Sequence, residues 1–203
     1  MKLYFSPGAC SLSPHIVLAE TGIRAELEQV DLGSKKTKSG ADFTAVNPKG
    51  QVPTLVLDDG STLTEGPAIV QYLADRKPEA NLAPANGTVD RYRLQEWLNF
   101  VTSELHKGFS PLFNKAVPAE YKTMAKENLA NRFAYLDEHL GKGGPFLMGS
   151  QFTVADVYAF VVLGWTAYQD IDLGRWPNLK SYVGKIAARP GVQQAMKEEG
   201  LIK

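Results

Sequence analysis

The sequence predicts a mixed α/β domain followed by an all-α domain. Three observations carry this. The first 77 residues alternate short β-prone runs with helical ones in the order βαβ, a variable stretch, then ββα. Pro78 to Thr88 is an 11-residue stretch with two Pro, two Asn and one Gly, which has the composition of a linker. Beyond it every periodic segment has helical spacing.

Lys2 to Phe5 suits a short strand, and Pro7-Gly8 turns the chain. Ser11 to Glu20 reads as a helix that tolerates Pro14 in its first turn and stops at Gly22. Leu27 to Leu32 is a second strand, Thr54 to Leu57 a third and Thr62 to Leu63 a fourth. Asp58-Asp59-Gly60 joins the last two as a hairpin turn. Glu65 to Arg76 is helical. A βαβ unit implies a parallel pair and the hairpin an antiparallel one, so the sheet is mixed.

In the second part, apolar residues at 94, 98, 101, 105, 109 and 112 advance in steps of 4, 3, 4, 4 and 3, one face of a long helix. Lys122 to Leu140 is a further helix, ending at Gly141. Thr153-Val-Ala-Asp156 has the form of a capping box heading another. Leu179 to Ala188 and Val192 to Lys197 complete the set. The expected division is a first domain over 1–78, a linker over 79–87 and a helical domain over 88–203.

Composition narrows the function. Among 203 residues, 22 Lys plus Arg balance 22 Asp plus Glu. This argues against nucleic acid and against an acidic membrane surface as partners. The longest uncharged apolar run, between Asp156 and Asp170, is too short to span a bilayer. The one cysteine, Cys10, can form no disulfide within the chain, which suits a reducing, cytoplasmic setting. No His, Cys or Asp cluster has metal-ligand spacing, so no metal is expected.

Cys10 lies between the first strand and the first helix. A helix N-terminus presents free N–H groups and partial positive charge, which stabilise a thiolate. Cys10-Ser-Leu-Ser13 is a Cys-x-x-Cys pattern with its second cysteine replaced, so it can hold only a mixed disulfide. A small residue filling a turn is the plain alternative. Val52-Pro53 opens the third strand; a cis bond there would set it opposite the cysteine. Glu65-Gly66 heads a helix, where a ligand carboxylate can accept an N–H and Glu65 can pair with an ammonium. On the long helix, Asn99, Ser103, His106 and Ser110 form a polar stripe beside the apolar one, suited to lining a cleft, with His106 and Lys107 as titrating or positive groups. A solvated helix face is the alternative. Trp97, Trp165 and Trp176 read as core, and His15 and His139 as surface or satisfied residues.

Ser6-Pro-Gly-Ala-Cys10-Ser, Asn47-Pro-Lys-Gly-Gln-Val-Pro53-Thr-Leu, Leu63-Thr-Glu65-Gly-Pro-Ala-Ile69 and Thr153-Val-Ala-Asp156, in this order, resemble the glutathione S-transferases. Cys10 and the His106-Lys107 pair are similar to the bacterial beta class, including members attached to aromatic and biphenyl degradation. The resemblance implies a thioredoxin-like domain, an α-helical domain, a homodimer and glutathione as co-substrate. It implies that Cys10 lies beside the glutathione sulfur, with Ser11 as a fallback hydroxyl and His106 as a further catalytic group. It implies tripeptide contacts from Lys35, Val52, Pro53, Glu65, Gly66 and His106, with Asn99 and Ser103 near the subunit interface. Lys107 and Ser110 would border the pocket for a small electrophile. The family usually has Ser where this chain has Gly66, which keeps the backbone donor, removes a hydroxyl and implies weaker glutathione affinity. Within this resemblance a disulfide reductase, a dehalogenase and a non-catalytic glutathione-binding protein are the alternatives to conjugation.

Overall fold

The computed structural model describes residues 1–203. Chain contacts divide it into two compact units, residues 1–81 with 188–203, and residues 82–187.

In the first unit β1 (Lys2–Phe5) pairs parallel with β2 (Glu26–Asp31) and antiparallel with β4 (Thr54–Val56), and β4 pairs antiparallel with β5 (Thr62–Thr64). The sheet is mixed, as its connections require. A two-residue strand, β3 (Lys36–Thr37), extends it to the order β3-β2-β1-β4-β5. It lies in the variable stretch, and two residues carry no periodic signal. The β4–β5 turn closes with Gly60 at φ +82° and Asp59 accepting the Ser61 N–H at 2.9 Å. Helices α1 (Leu12–Thr21) and α2 (Gly66–Asp75) pack together, burying Ile16, Val17, Ile69, Val70 and Leu73 with Leu3 and Leu55 of the sheet. Each such side chain contributes about 1.5–3 kcal/mol by leaving water.

The expected assignment of 188–203 to the helical domain is corrected here. α8 (Pro190–Glu198) packs on α1. Arg189 grips Glu20 through two hydrogen bonds, at 2.9 and 2.6 Å, and His15 on α1 meets Glu198 and Glu199. Order along the chain cannot reveal a return of this length.

In the second unit the six apolar positions of the stripe are all buried. The helix that carries them is interrupted: α3 (Val89–Phe100) runs into a π-helical segment (Val101–His106), then α4 (Lys107–Phe113). α5 (Ala119–Gly143) outruns its expected end, because Gly141 is accommodated inside the helix and the stop comes at Gly144, φ +117°. α6 (Val154–Gly164) buries every residue except its last. Its capping box forms: the Thr153 N–H donates to Asp156 Oδ2 at 2.8 Å. Asp156 Oδ1 accepts the Leu147 N–H at 2.8 Å and the Tyr182 hydroxyl at 3.0 Å. Burial pushes the Asp156 carboxyl up in pKa, and these donors work against that shift. α7 (Pro177–Ala187) completes the unit. Trp165 and Trp176 are core, as expected, but Trp97 is only half-buried, beside Phe100, Tyr135 and His139. No helix is long and apolar enough to cross a membrane.

Candidate active site

The first unit gathers its site residues around one loop, Asn47 to Pro53. Asn47 is buried and stitches that loop, donating from Nδ2 to Gln51 O and Thr54 Oγ1, each at 2.9 Å. The Val52–Pro53 bond is cis. Cys10 is half-buried, and its Sγ donates to the Val52 carbonyl at 3.2 Å. Lys35, held at φ +58°, donates from Nζ to Gly50 O at 3.0 Å. Lys49 pairs with Glu65 at 2.6 Å and donates to Thr64 Oγ1 at 2.9 Å. A Cβ on Gly66 would meet Pro53 Cγ at 3.8 Å. Cys10, Lys35 and the Glu65-Gly66 pair come from three segments of the chain, and each reaches this loop.

Local geometry explains how each is presented. Helix α1 begins at Leu12, so Cys10 stands one residue before the N-cap, Ser11. The hydroxyl of Ser13 donates to Cys10 O at 2.7 Å, tying the cysteine to the first turn. Glu65 sits at φ +68°, ψ 113°, a conformation costly for a residue with a side chain. Such an outlier persists only where the surroundings impose it, and here the carboxylate pairs with Lys49 of the Asn47–Pro53 loop.

Ser11 does not fit the role of a catalytic hydroxyl. It is fully buried, and its Oγ accepts the Ser6 N–H at 3.0 Å while donating to Ser6 O at 3.2 Å. Both hydrogen-bonding roles are spent on closing the loop that carries Cys10.

The helical unit carries the second group. Asn99, Ser103 and Ser110 are exposed, and each side chain folds back on its own helix, to Gln95 O (2.9 Å), Asn99 O (3.0 Å) and His106 O (3.4 Å). Lys107 is exposed beside them. His106 breaks the expected stripe. The π segment, in which the Lys107 N–H reaches Thr102 O five residues back, shifts the register, and such segments gather at functional sites. The His106 ring packs edge-on to Trp165 at 4.8 Å, and Nδ1 lies 2.6 Å from the Tyr158 hydroxyl. Burial, and then the Lys107 charge, lower its pKa to about 4. His106 is therefore neutral at neutral pH, and Lys107 alone supplies the positive charge expected of the pair.

Three contributors escaped sequence reasoning. Lys49 was visible inside the Asn-Pro-Lys-Gly segment but had no assigned partner. Tyr158 looked like any aromatic of a core helix. Glu199, buried, accepts the Gly8 N–H at 2.9 Å and so ties the Cys10 loop to the C-terminal segment, a link no local signal announces.

Comparison with known proteins agrees with this layout. The family model for the glutathione S-transferase N-terminal domain matches residues 8–76, and that for the C-terminal domain matches residues 100–190. Glutathione S-transferase GstA of Escherichia coli O157:H7 is 46% identical over 99% of this chain and all of its own. The ternary complex of BphK, a bacterial glutathione S-transferase, is 58% identical with a TM-score of 0.96, covering 98% of this chain and 100% of that one. A sphingomonad glutathione S-transferase complexed with glutathione is 53% identical with the same TM-score, over the full length of both chains. With both domains matched, the expected mixed sheet in place and likeness along its whole length, the chain belongs to the glutathione S-transferase family.

Proposed function

We propose that this enzyme holds glutathione against the Asn47–Pro53 loop and delivers its thiolate to an electrophilic carbon, as a transferase of the beta class. The convergence of Cys10, Lys35, Glu65 and Gly66 on that loop carries the reading, above all the 3.2 Å contact from Cys10 Sγ to Val52 O. A cysteinyl backbone pairing with Val52 sets its sulfur beside Cys10. Glu65 and the Gly66 N–H take the γ-glutamyl ammonium and carboxylate, and Lys35 a further carboxylate. His106, Asn99 and Ser103 are proposed as additional contacts to the tripeptide, with Lys107 and Ser110 bordering the electrophile.

In conjugation the glutathione sulfur gives its electron pair to carbon while the leaving group, a halide in halogenated aromatic substrates, departs with the pair of its own bond. The thiol proton goes to solvent. Holding both reactants in one geometry supplies much of the acceleration. Cys10 serves a second reaction: its thiolate attacks oxidised glutathione, forming one mixed disulfide and releasing one glutathione thiolate. The half-buried thiol, with no second cysteine to resolve the adduct, favours a disulfide-reductase activity alongside conjugation.

Intact-mass measurement after oxidised glutathione should give a single reductant-sensitive adduct per chain, absent in Cys10→Ala. Disulfide reduction should disappear in that variant, while conjugation across a panel of electrophiles falls less. A wild-type chain without adduct, or full reductase activity in Cys10→Ala, would assign Cys10 to packing. Glu65→Ala should raise the Michaelis constant for glutathione more than it lowers turnover, because it contacts the end of the tripeptide remote from the reacting sulfur. The exposed Ser103 face suits a homodimer, and sedimentation equilibrium should return twice the chain mass.

A further inference from the structure

Tyr158 stands on α6, 2% exposed, with its hydroxyl 2.6 Å from His106 Nδ1 and its ring edge-on to the imidazole at 5.9 Å and 76°. Trp165 packs against the same imidazole edge-on, at 74°. The ring is thus held by two aromatics and one short hydrogen bond, while Nε2 makes no hydrogen bond within the chain.

The direction of that bond follows from the two groups. A phenol O–H is a stronger donor than a neutral imidazole N–H, and a bare imidazole nitrogen is a stronger acceptor than a phenol oxygen. Tyr158 therefore donates and Nδ1 accepts. A neutral imidazole carries a single proton, so that proton resides on the other nitrogen. Seated beside a thiolate, such a group donates a hydrogen bond to the charged form and favours it.

We propose that Tyr158 is a positioning residue that locks His106 as its Nε2–H tautomer, so that His106 serves glutathione as a hydrogen-bond donor and not as a base. This rests on the reading that His106 contacts bound glutathione. The thiol proton passes to solvent, His106 keeps its own proton throughout, and the new S–C bond forms as the leaving group departs with its electrons.

Two-bond 1H–15N correlation spectra of histidine-labelled protein at neutral pH report the tautomer directly. His106 should show the Nε2–H pattern in the wild type, assigned by its loss in His106→Gln, and Tyr158→Phe should convert it to a mixture. This arm needs no activity, and the wild-type tautomer by itself can overturn the proposal. In kinetics, Tyr158→Phe should lower kcat/KM for glutathione by about three- to tenfold, the scale of one hydrogen bond. His106→Gln, which retains an N–H donor, should keep most of the activity that His106→Ala loses, whereas a base could not be replaced by an amide. An Nδ1–H tautomer in the wild type would overturn the proposal. So would a Tyr158→Phe enzyme with unchanged tautomer and kcat/KM, or His106→Gln as impaired as His106→Ala. Unchanged kinetics in His106→Ala, with the tautomer as expected, would instead overturn the reading that His106 serves glutathione.

Discussion

His15 in the first unit and His106 in the second are both enclosed histidines on helices, yet their surroundings drive them in opposite directions. Burial would lower the pKa of each. At His15 two carboxylates answer it: Glu199 Oε1 at 3.0 Å and Glu198 Oε2 at 2.7 Å, and together they hold the pKa above its ordinary value. At His106 no carboxylate answers. Its partner is a neutral phenol, its neighbour Lys107 adds to the downward shift, and the ring stays uncharged. Enclosure thus does not decide a histidine's charge; the partner does. The first unit uses a buried charge to anchor the Cys10 loop through Glu199 and Gly8, and the second holds a neutral ring edge-on to two aromatics.

The sharpest way to break this contrast is His15→Ala. It strands the fully buried Glu199 carboxylate without its cation, and breaking such a pair costs about 3–5 kcal/mol. Urea unfolding near pH 6 should show that loss. Because the folded His15 pKa is raised, its contribution is complete below the unfolded value of about 6.5 and fades as pH rises through the folded value. A loss under 1 kcal/mol would show that the pair does not anchor the C-terminal segment.

His106 should give the opposite slope. Its pKa falls to about 4 in the fold, so the neutral ring contributes fully above about pH 6.5 and loses that contribution between there and pH 4. Discounted for partial exposure, the change is on the order of 2 kcal/mol. The stability gap between wild type and His106→Gln should narrow by that much on acidification. A gap that widens would mean that His106 is protonated in the native state.

Two glycines sharpen the comparison further. In α4, a Cβ on Gly108 would sit 2.8 Å from Cδ2 of the fully buried Leu129, so Gly108→Ala should cost about 1–3 kcal/mol in thermal or chemical unfolding. Gly66 has room, since its Cβ would meet only Pro53 Cγ at 3.8 Å. Gly66→Ser should leave stability nearly unchanged and lower the Michaelis constant for glutathione a few-fold by restoring one hydroxyl, an effect of about 1 kcal/mol. An unchanged constant would show that the backbone N–H suffices.

Much of the fold is legible in residue spacing. The stripe from Leu94 to Leu112 is buried position by position, the Asp-Asp-Gly hairpin closes where its turn chemistry demands, and Thr153 and Asp156 form their box. The candidate residues could be named from the sequence, but not what each of them touches. Ser11 looked available because a serine at a helix start often is, and only the paired contacts to Ser6 show it spent. His106 sat at regular helical spacing with Ser103 and Ser110, and the π segment then turned it toward Tyr158.

By itself, the sequence determined the order of the elements, the two-part division near residue 80, and a lone cysteine placed ahead of a helix. These follow from turn residues and from periods of two and 3.6, which act between near neighbours. Tertiary structure alone decided that three segments meet on the Asn47–Pro53 loop, that α8 joins the first unit, and that His15 and His106 hold opposite tendencies. The deciding pairs lie 42 residues apart for Cys10 and Val52, 52 for His106 and Tyr158, and 184 for His15 and Glu199. No local pattern encodes such a pairing, because each partner's desolvation and hydrogen bonding exist only once the chain has brought them together.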